Sequence, residues 1–278
     1  VLRLLEEAHR RWGKLRWSGL FDHAVGFAEG GWMVRPHVHT MMTADETVYG
    51  RLSYPQKLAL TPDSARLYLR EDGTPKRPGE IIRNPHLAAT LRAVAAGGAA
   101  AFHEGDIAAR IAADMRDHGG YLSEADLAGF RVTESHPIRV PYRGCTVSLP
   151  APPAGGIVVA ECLRILERFD IAAIGHNTPR YIHTVTEAMR VALADREMHI
   201  GDPAFHPPPL ERLLSDAYAD ACAARIRDGL RSEAPNAAGE PRDTTTISAV
   251  DANGMVASLT HTLGVPSGVV PPGTGFML

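Results

Sequence analysis

The sequence predicts an α+β fold, and three stretches carry that reading. From Asp243 to Leu263, Ile247, Ala249, Met255, Ala257 and Leu259 alternate with Ser248, Ser258 and Thr260, the period of a half-buried strand pair. Asn253-Gly254 supplies residues that suit a primed hairpin turn between the two strands. Ile138 to Leu149 alternates in the same way around Tyr142-Arg143-Gly144. Pro179 to Ile200 repeats instead at helical spacing, with Ile182, Val185, Met189, Ala192 and Leu193 as an apolar stripe.

In chain order, Val1, Leu2, Leu4, Leu5 and Ala8 recur at helical spacing with Arg3, Glu6, Glu7 and Arg10 opposite. Trp17 to Glu29 predicts a second helix that buries Leu20, Phe21, Ala24, Val25 and Ala28 and ends at Gly30-Gly31. Trp12, Trp17 and Trp32 are expected to pack in a core or an interface. Between Thr40 and Ile82, Pro55, Pro62, Gly73, Pro75, Pro78 and Gly79 break the pattern into loops and short helices. Asn84 is a good N-cap and Pro85 a good first helical residue, so His86 to Ala96 should be a helix closed by Gly97-Gly98.

Beyond Phe102 to Ala108 another helix runs to Gly119-Gly120, and Ser123-Glu124-Ala125-Asp126 opens a short one with a carboxylate near its N-terminus. Pro150 to Gly156 forms a turn before an apolar helix from Ile157 to Phe169, without the Lys-Ser/Thr of a phosphate loop. In the Pro179–Ile200 helix, Asp195 and Arg196 are expected to form an ion pair that fixes the helix. Leu210 to Ile226 makes one more helix before a polar run from Gly229 to Arg242.

The 278 residues suffice for a large core in one or two domains. A net charge of −3 gives no electrostatic case for nucleic acid or an anionic membrane, and no apolar run approaches a membrane span. Cys145, Cys162 and Cys222 lack metal-ligand spacing and are expected to be small buried hydrophobes. His37-x-His39 has no third ligand at a suitable spacing, so no metal is expected. Val1 begins inside a helical pattern and Leu278 ends inside a strand-like run, so the chain reads as an interior piece of something longer.

Thr244, Thr245 and Thr246 open the first hairpin strand directly after the polar run. A chain cut there would present a threonine at a new N-terminus. A threonine hydroxyl is a weak nucleophile that needs a base. An α-amine with a pKa near 7.8 is about 14% neutral at pH 7, against about 0.04% for a lysine amine, and can take the proton of its own hydroxyl. Threonines are also simply good strand formers, and spacing alone leaves both readings open.

A resemblance bears on the choice. Thr244-Thr245-Thr246-Ile247-Ser248-Ala249-Val250-Asp251, Asn253-Gly254 and Ala257-Ser258-Leu259-Thr260-His261-Thr262-Leu263 together resemble the start of the small subunit of the γ-glutamyltransferases, N-terminal-nucleophile (Ntn) hydrolases that cleave themselves before a threonine. Ser267 to Val270 and Gly273 to Leu278 resemble the next segments of that small subunit. "FHEGDIA", "GGYLSEADLAGF", "PIRVPYRG" and "EAMRVALADREMHIGDPAF" resemble the family's large subunit.

The resemblance implies an αββα sandwich, incomplete in this chain, with residues 1–243 belonging to the large-subunit region and 244–278 opening the small one. The 244–263 hairpin should lie at the centre of the two-sheet core. The resemblance also implies cleavage between Asp243 and Thr244, Thr244 as catalytic nucleophile, Thr262 as its hydrogen-bonding positioner, and no cofactor. The partners implied are a small γ-glutamyl amide such as glutathione and an acceptor amine or water, with the two fragments staying together. Two positions depart from the family: Thr246 stands where a histidine is usual, and Gly264 where many members carry an asparagine that holds the glutamyl head group. A relative acting on another acyl group, glutaryl or oxamate, therefore stays open, as does an uncleaved, non-catalytic scaffold.

Overall fold

The computed structural model describes residues 1–229, 244–262 and 264–278. Asp243 and most of the polar run before it lie outside the described residues. The chain falls into two compact units, Val1–Val132 with Glu240–Leu278, and Thr133–Gly239.

The first unit opens with helix α1 (Leu2–Trp12), which buries none of its residues fully, and Trp12 at its end is exposed. The single helix expected over Trp17–Glu29 is broken into a 3-10 turn, Trp17–Phe21, and α2 (Asp22–Gly30). Of the five apolar residues expected inside, Ala28 alone is buried and Leu20 is exposed. Trp17 uses its indole N–H on the Val94 carbonyl (3.1 Å), which draws it toward the neighbouring helix rather than into a core.

Strands β1 (Trp32–Met33) and β2 (Ile81–Ile82) pair antiparallel around short helices, α3 (Pro36–Met42), α4 (Tyr54–Leu58) and α5 (Pro62–Tyr68). Helix α6 (Pro85–Gly97) begins where its cap predicts, with the Asn84 side-chain oxygen accepting from Leu87 N at 3.0 Å. Helices α7 (Ala100–His103), α8 (Asp106–Asp117) and α9 (Glu124–Gly129) come next, the last opened by a Ser123–Asp126 capping box.

The second unit holds the predicted strand pair, β3 (Ile138–Tyr142) and β4 (Cys145–Leu149). Its two-residue turn has positive φ at both Arg143 and Gly144, the geometry that matches strand twist. Helices α10 (Gly156–Leu166), α11 (Ile171–Ile174), α12 (Pro179–His199), α13 (Leu210–Leu213) and α14 (Asp216–Arg227) complete it. The helix expected over 210–226 is thus split, with Ser215 capping its second half.

The core of this unit joins Cys162, Ile165, Ala188, Val191, Ala192, Cys222 and Ile226. Cys162 and Cys222 are buried as expected, whereas Cys145 on β4 is exposed. Of the expected stripe of α12, Ala192 is buried but Ile182 and Met189 face outward, and Thr184, Glu187, Ala188 and Asp195 are buried instead. Asp195 and Arg196 do not pair. Asp195 accepts from the Tyr218 hydroxyl (2.5 Å) and Arg196 is exposed. Within the helix Arg190 instead pairs with Glu187 at 3.0 Å, and His199 Nε2 lies 3.8 Å from Asp195.

Among the described residues no helix is long and apolar enough to cross a membrane.

Candidate active site

The hairpin is formed by β5 (Thr245–Val250) and β6 (Val256–His261), paired from Thr245↔His261 to Val250↔Val256. The turn differs from the primed two-residue form. Asp251 N donates to Met255 O at 3.0 Å and Gly254 takes φ +85°, the three-residue loop with glycine in the left-handed position. The cause is Asp251, whose carboxylate accepts from both Asn253 N (2.8 Å) and Met255 N (2.9 Å) and so sets the wider loop.

Among the described residues neither face of the hairpin is covered. Ile247, Val250 and Val256 are 60%, 71% and 68% exposed, and among the described residues no third strand pairs with β5 or β6. The apolar alternation read from the sequence is therefore present without the burial expected for it.

Thr244 immediately precedes β5 and is exposed. Alternation puts Thr246 and Ser248 on one face, and each meets a hydroxyl across the ladder: Thr246 Oγ1 lies 2.9 Å from Thr260 Oγ1, and Ser248 Oγ lies 2.8 Å from Ser258 Oγ. Continuing the register one step beyond Thr245↔His261 sets position 244 opposite Thr262. Thr262 Oγ1 also accepts from Gly264 N at 2.8 Å. Gly264 has φ +71° and open space where a Cβ would stand.

The tail after the hairpin is held firmly by the first unit, through contacts the sequence does not disclose. Thr61 Oγ1 accepts from Val270 N (3.3 Å) and Asp63 Oδ2 accepts from Gly273 N (2.8 Å). Thr90 donates to the Thr274 carbonyl (2.7 Å), and the Asn84 amide donates to the Gly275 carbonyl (2.6 Å). Partial burial pushes the Asp63 carboxyl up, but the Gly273 N–H and Arg66 outweigh it and hold the group below the usual carboxylate range. Gly268, at φ +84°, passes so close to α4 that an added Cβ would run into the Lys57 carbonyl.

Apolar residues finish the attachment. Val270 and Met277 join the cluster of Val34, Leu58, Leu67 and Ile82, while Phe276 and Leu278 pack on Ile107 and Ile111. Beside the tail, Val38, Met41, Met42, Tyr54, Tyr68 and Met277 line an apolar cavity of about 150 Å³.

The family described as gamma-glutamyltranspeptidase matches this chain over residues 1–278. The chain belongs to that family. It is 35% identical over 281 residues to the glutathione hydrolase proenzyme of Pseudomonas aeruginosa, covering 99% of this chain and 48% of that protein. It is 34% identical over 276 residues to the acylase ACY 1 proenzyme of Pseudomonas sp. (strain V22), covering 98% and 48%. Among solved structures, the cephalosporin acylase from Bacillus halodurans superposes with a TM-score of 0.81 at 28% identity, covering 97% of this chain and 49% of that one.

The chain spans about half the length of the curated relatives it matches. As a family member it has the α+β, Ntn-hydrolase class of fold, with the αββα sandwich incomplete within these residues.

Proposed function

We propose that this chain is part of a self-processing amide acyltransferase or hydrolase whose nucleophile is Thr244, and whose large and small regions meet at the Asp243–Thr244 bond. The observation that carries the reading is the start of the hairpin. Thr244 is exposed immediately before β5, and one further step of the register beyond Thr245↔His261 would set it opposite Thr262.

In the first reaction the Thr244 hydroxyl oxygen attacks the Asp243 carbonyl carbon. The C–N bond breaks, an ester forms, and the hydroxyl proton ends on the nitrogen. Water then hydrolyses the ester, leaving the Asp243 carboxylate and a free Thr244 amine. That amine takes the hydroxyl proton in each later turnover, as the oxygen attacks a substrate amide and forms an acyl-enzyme. The acyl group leaves to water or to an acceptor amine. Thr262 positions the Thr244 side chain, and the tail from Val270 to Leu278 keeps the small fragment attached after the cut. The word proenzyme in the names of both relatives supports processing of this kind.

The substrate we propose is a γ-glutamyl amide such as glutathione, in keeping with the relative named glutathione hydrolase. A second reading, a different acyl group such as glutaryl or oxamate, is favoured by Gly264, which offers no side chain to an acyl head group, and by the nearly equal identity to a protein named acylase.

A denaturing gel of the full-length protein tests the processing. Two fragments, the smaller beginning at Thr244, are expected, and one persistent band in both the parent and Thr244→Ala would mark an uncleaved scaffold. Release of aniline from a γ-glutamyl anilide compared with a glutaryl anilide then decides the acyl group.

A further inference from the structure

Three consecutive threonines, Thr244, Thr245 and Thr246, open β5, and each hydroxyl has a carbonyl directly before it that it could attack. Granting the self-cleavage proposed above, something must choose among three bonds that each precede a threonine. We infer that the Thr246–Thr260 hydroxyl pair is a positioning element that confines cleavage to the bond before Thr244.

Three observations support this. Thr245 is the first residue of the paired ladder, and alternation turns its side chain to the face opposite Thr244 and Thr246. Thr246 shares the face of Thr244, but its hydroxyl is committed across the strand to Thr260 at 2.9 Å. The peptide bond between Thr245 and Thr246 also lies within the paired ladder, which begins at Thr245 and does not include Thr244.

The second rung, Ser248 to Ser258 at 2.8 Å, and the Asp251-centred loop carry the same register down to the turn. Releasing the Thr246 hydroxyl would let it attack the Thr245 carbonyl carbon. The Thr245–Thr246 bond would break, the hydroxyl proton would pass to the freed nitrogen, and water would complete hydrolysis as at the proposed site.

The experiment is intact-mass and N-terminal analysis of the small fragment from the full-length protein, in the parent and in Thr260→Val, Thr260→Ser and Thr246→Val. The parent and Thr246→Val should yield a fragment beginning at Thr244. Thr260→Val should yield, in addition, a fragment beginning at Thr246. Thr260→Ser, which keeps a hydroxyl at that position, should restore the single fragment.

A merely structural role for Thr260 would slow the cut without moving it. Thr260→Val that cuts only before Thr244, at whatever rate, overturns this inference and leaves the proposed function standing. A parent fragment beginning at Thr245 or Thr246 also overturns it. No cleavage in the parent overturns both.

Discussion

The Asn84 side chain serves two segments far apart in sequence: its oxygen caps α6 at Leu87 N, and its amide nitrogen donates to the carbonyl of Gly275, 191 residues further on, at 2.6 Å. Asn84→Ala removes both bonds from a buried site and should destabilise the protein by about 1–3 kcal/mol. Asn84→Asp keeps the cap but turns a carboxylate oxygen toward the Gly275 carbonyl in a buried site, so it should be no more stable than Asn84→Ala. Urea midpoints measure both. In processed protein, Asn84→Ala should also speed loss of the small fragment on size exclusion in mild urea.

Gly268 tests the same attachment from the backbone side. Gly268→Ala must place a Cβ at positive φ and against the Lys57 carbonyl, and should cost about 2–4 kcal/mol. Thermal unfolding of the variant checks this, and a midpoint equal to the parent's would contradict the close approach.

Gly264 predicts a change in selectivity at little cost in stability. Its left-handed backbone, φ +71°, is one that asparagine tolerates better than most residues, and the space for a Cβ is open. Gly264→Asn should therefore fold as well as the parent, within about 0.5 kcal/mol. It should raise the ratio of γ-glutamyl to glutaryl anilide turnover several-fold. An unchanged ratio would remove position 264 from acyl recognition.

An amine acting as base predicts the pH profile of turnover. The rate should climb through about pH 7–8 as the Thr244 amine loses its proton. Thr244→Ser should keep that limb at a lower plateau, and Thr244→Ala should abolish both processing and turnover. A profile flat across this range would exclude the amine as base.

The second unit carries a separate pH dependence. Burial, reinforced by the neighbouring Asp195, pushes the Glu161 carboxyl up to about 9 from an ordinary 4.5. Cys162, Tyr218, Cys222, His199 and Arg212 are the other titratable groups around this pair. Between those two pH values the folded state holds a proton that the unfolded chain has released, so stability is fullest below about pH 4.5 and drains as pH rises toward 9. Glu161→Gln keeps the shape without the charge. It should stabilise the protein at pH 8 by about 1–3 kcal/mol, with little effect near pH 4.5, as read from denaturation midpoints.

What the sequence discloses is local. The Asn84-Pro85 start of α6, the Ser123–Asp126 box of α9 and the Arg143-Gly144 turn arise from chemistry within a few residues, and all three are found. Periodicity misplaces the buried face of α12 because it marks the apolar residues without saying what they will meet. Here α10 and α14 pack on Ala188, Val191 and Ala192, leaving Ile182 and Met189 outside.

The Asn253-Gly254 pair misleads because the Asp251 carboxylate, two residues upstream, sets the loop length. The threonines of the candidate site stand out through their resemblance to a family, not through any pattern. The clamp made by Thr61, Asp63, Asn84 and Thr90 is invisible in the sequence because its partners are backbone groups of residues 270–275, to which no local motif points.

That clamp also orders events at the ribosome. Thr133–Gly239 is continuous in sequence and can finish its core as soon as it emerges. Val1–Val132 emerges first but must wait, because Val270, Phe276 and Leu278 complete its clusters and are synthesised after the whole of the second unit. Such long loop closures are slow to form, so the opening half of the chain should remain the more vulnerable to proteases and chaperone capture until those residues arrive.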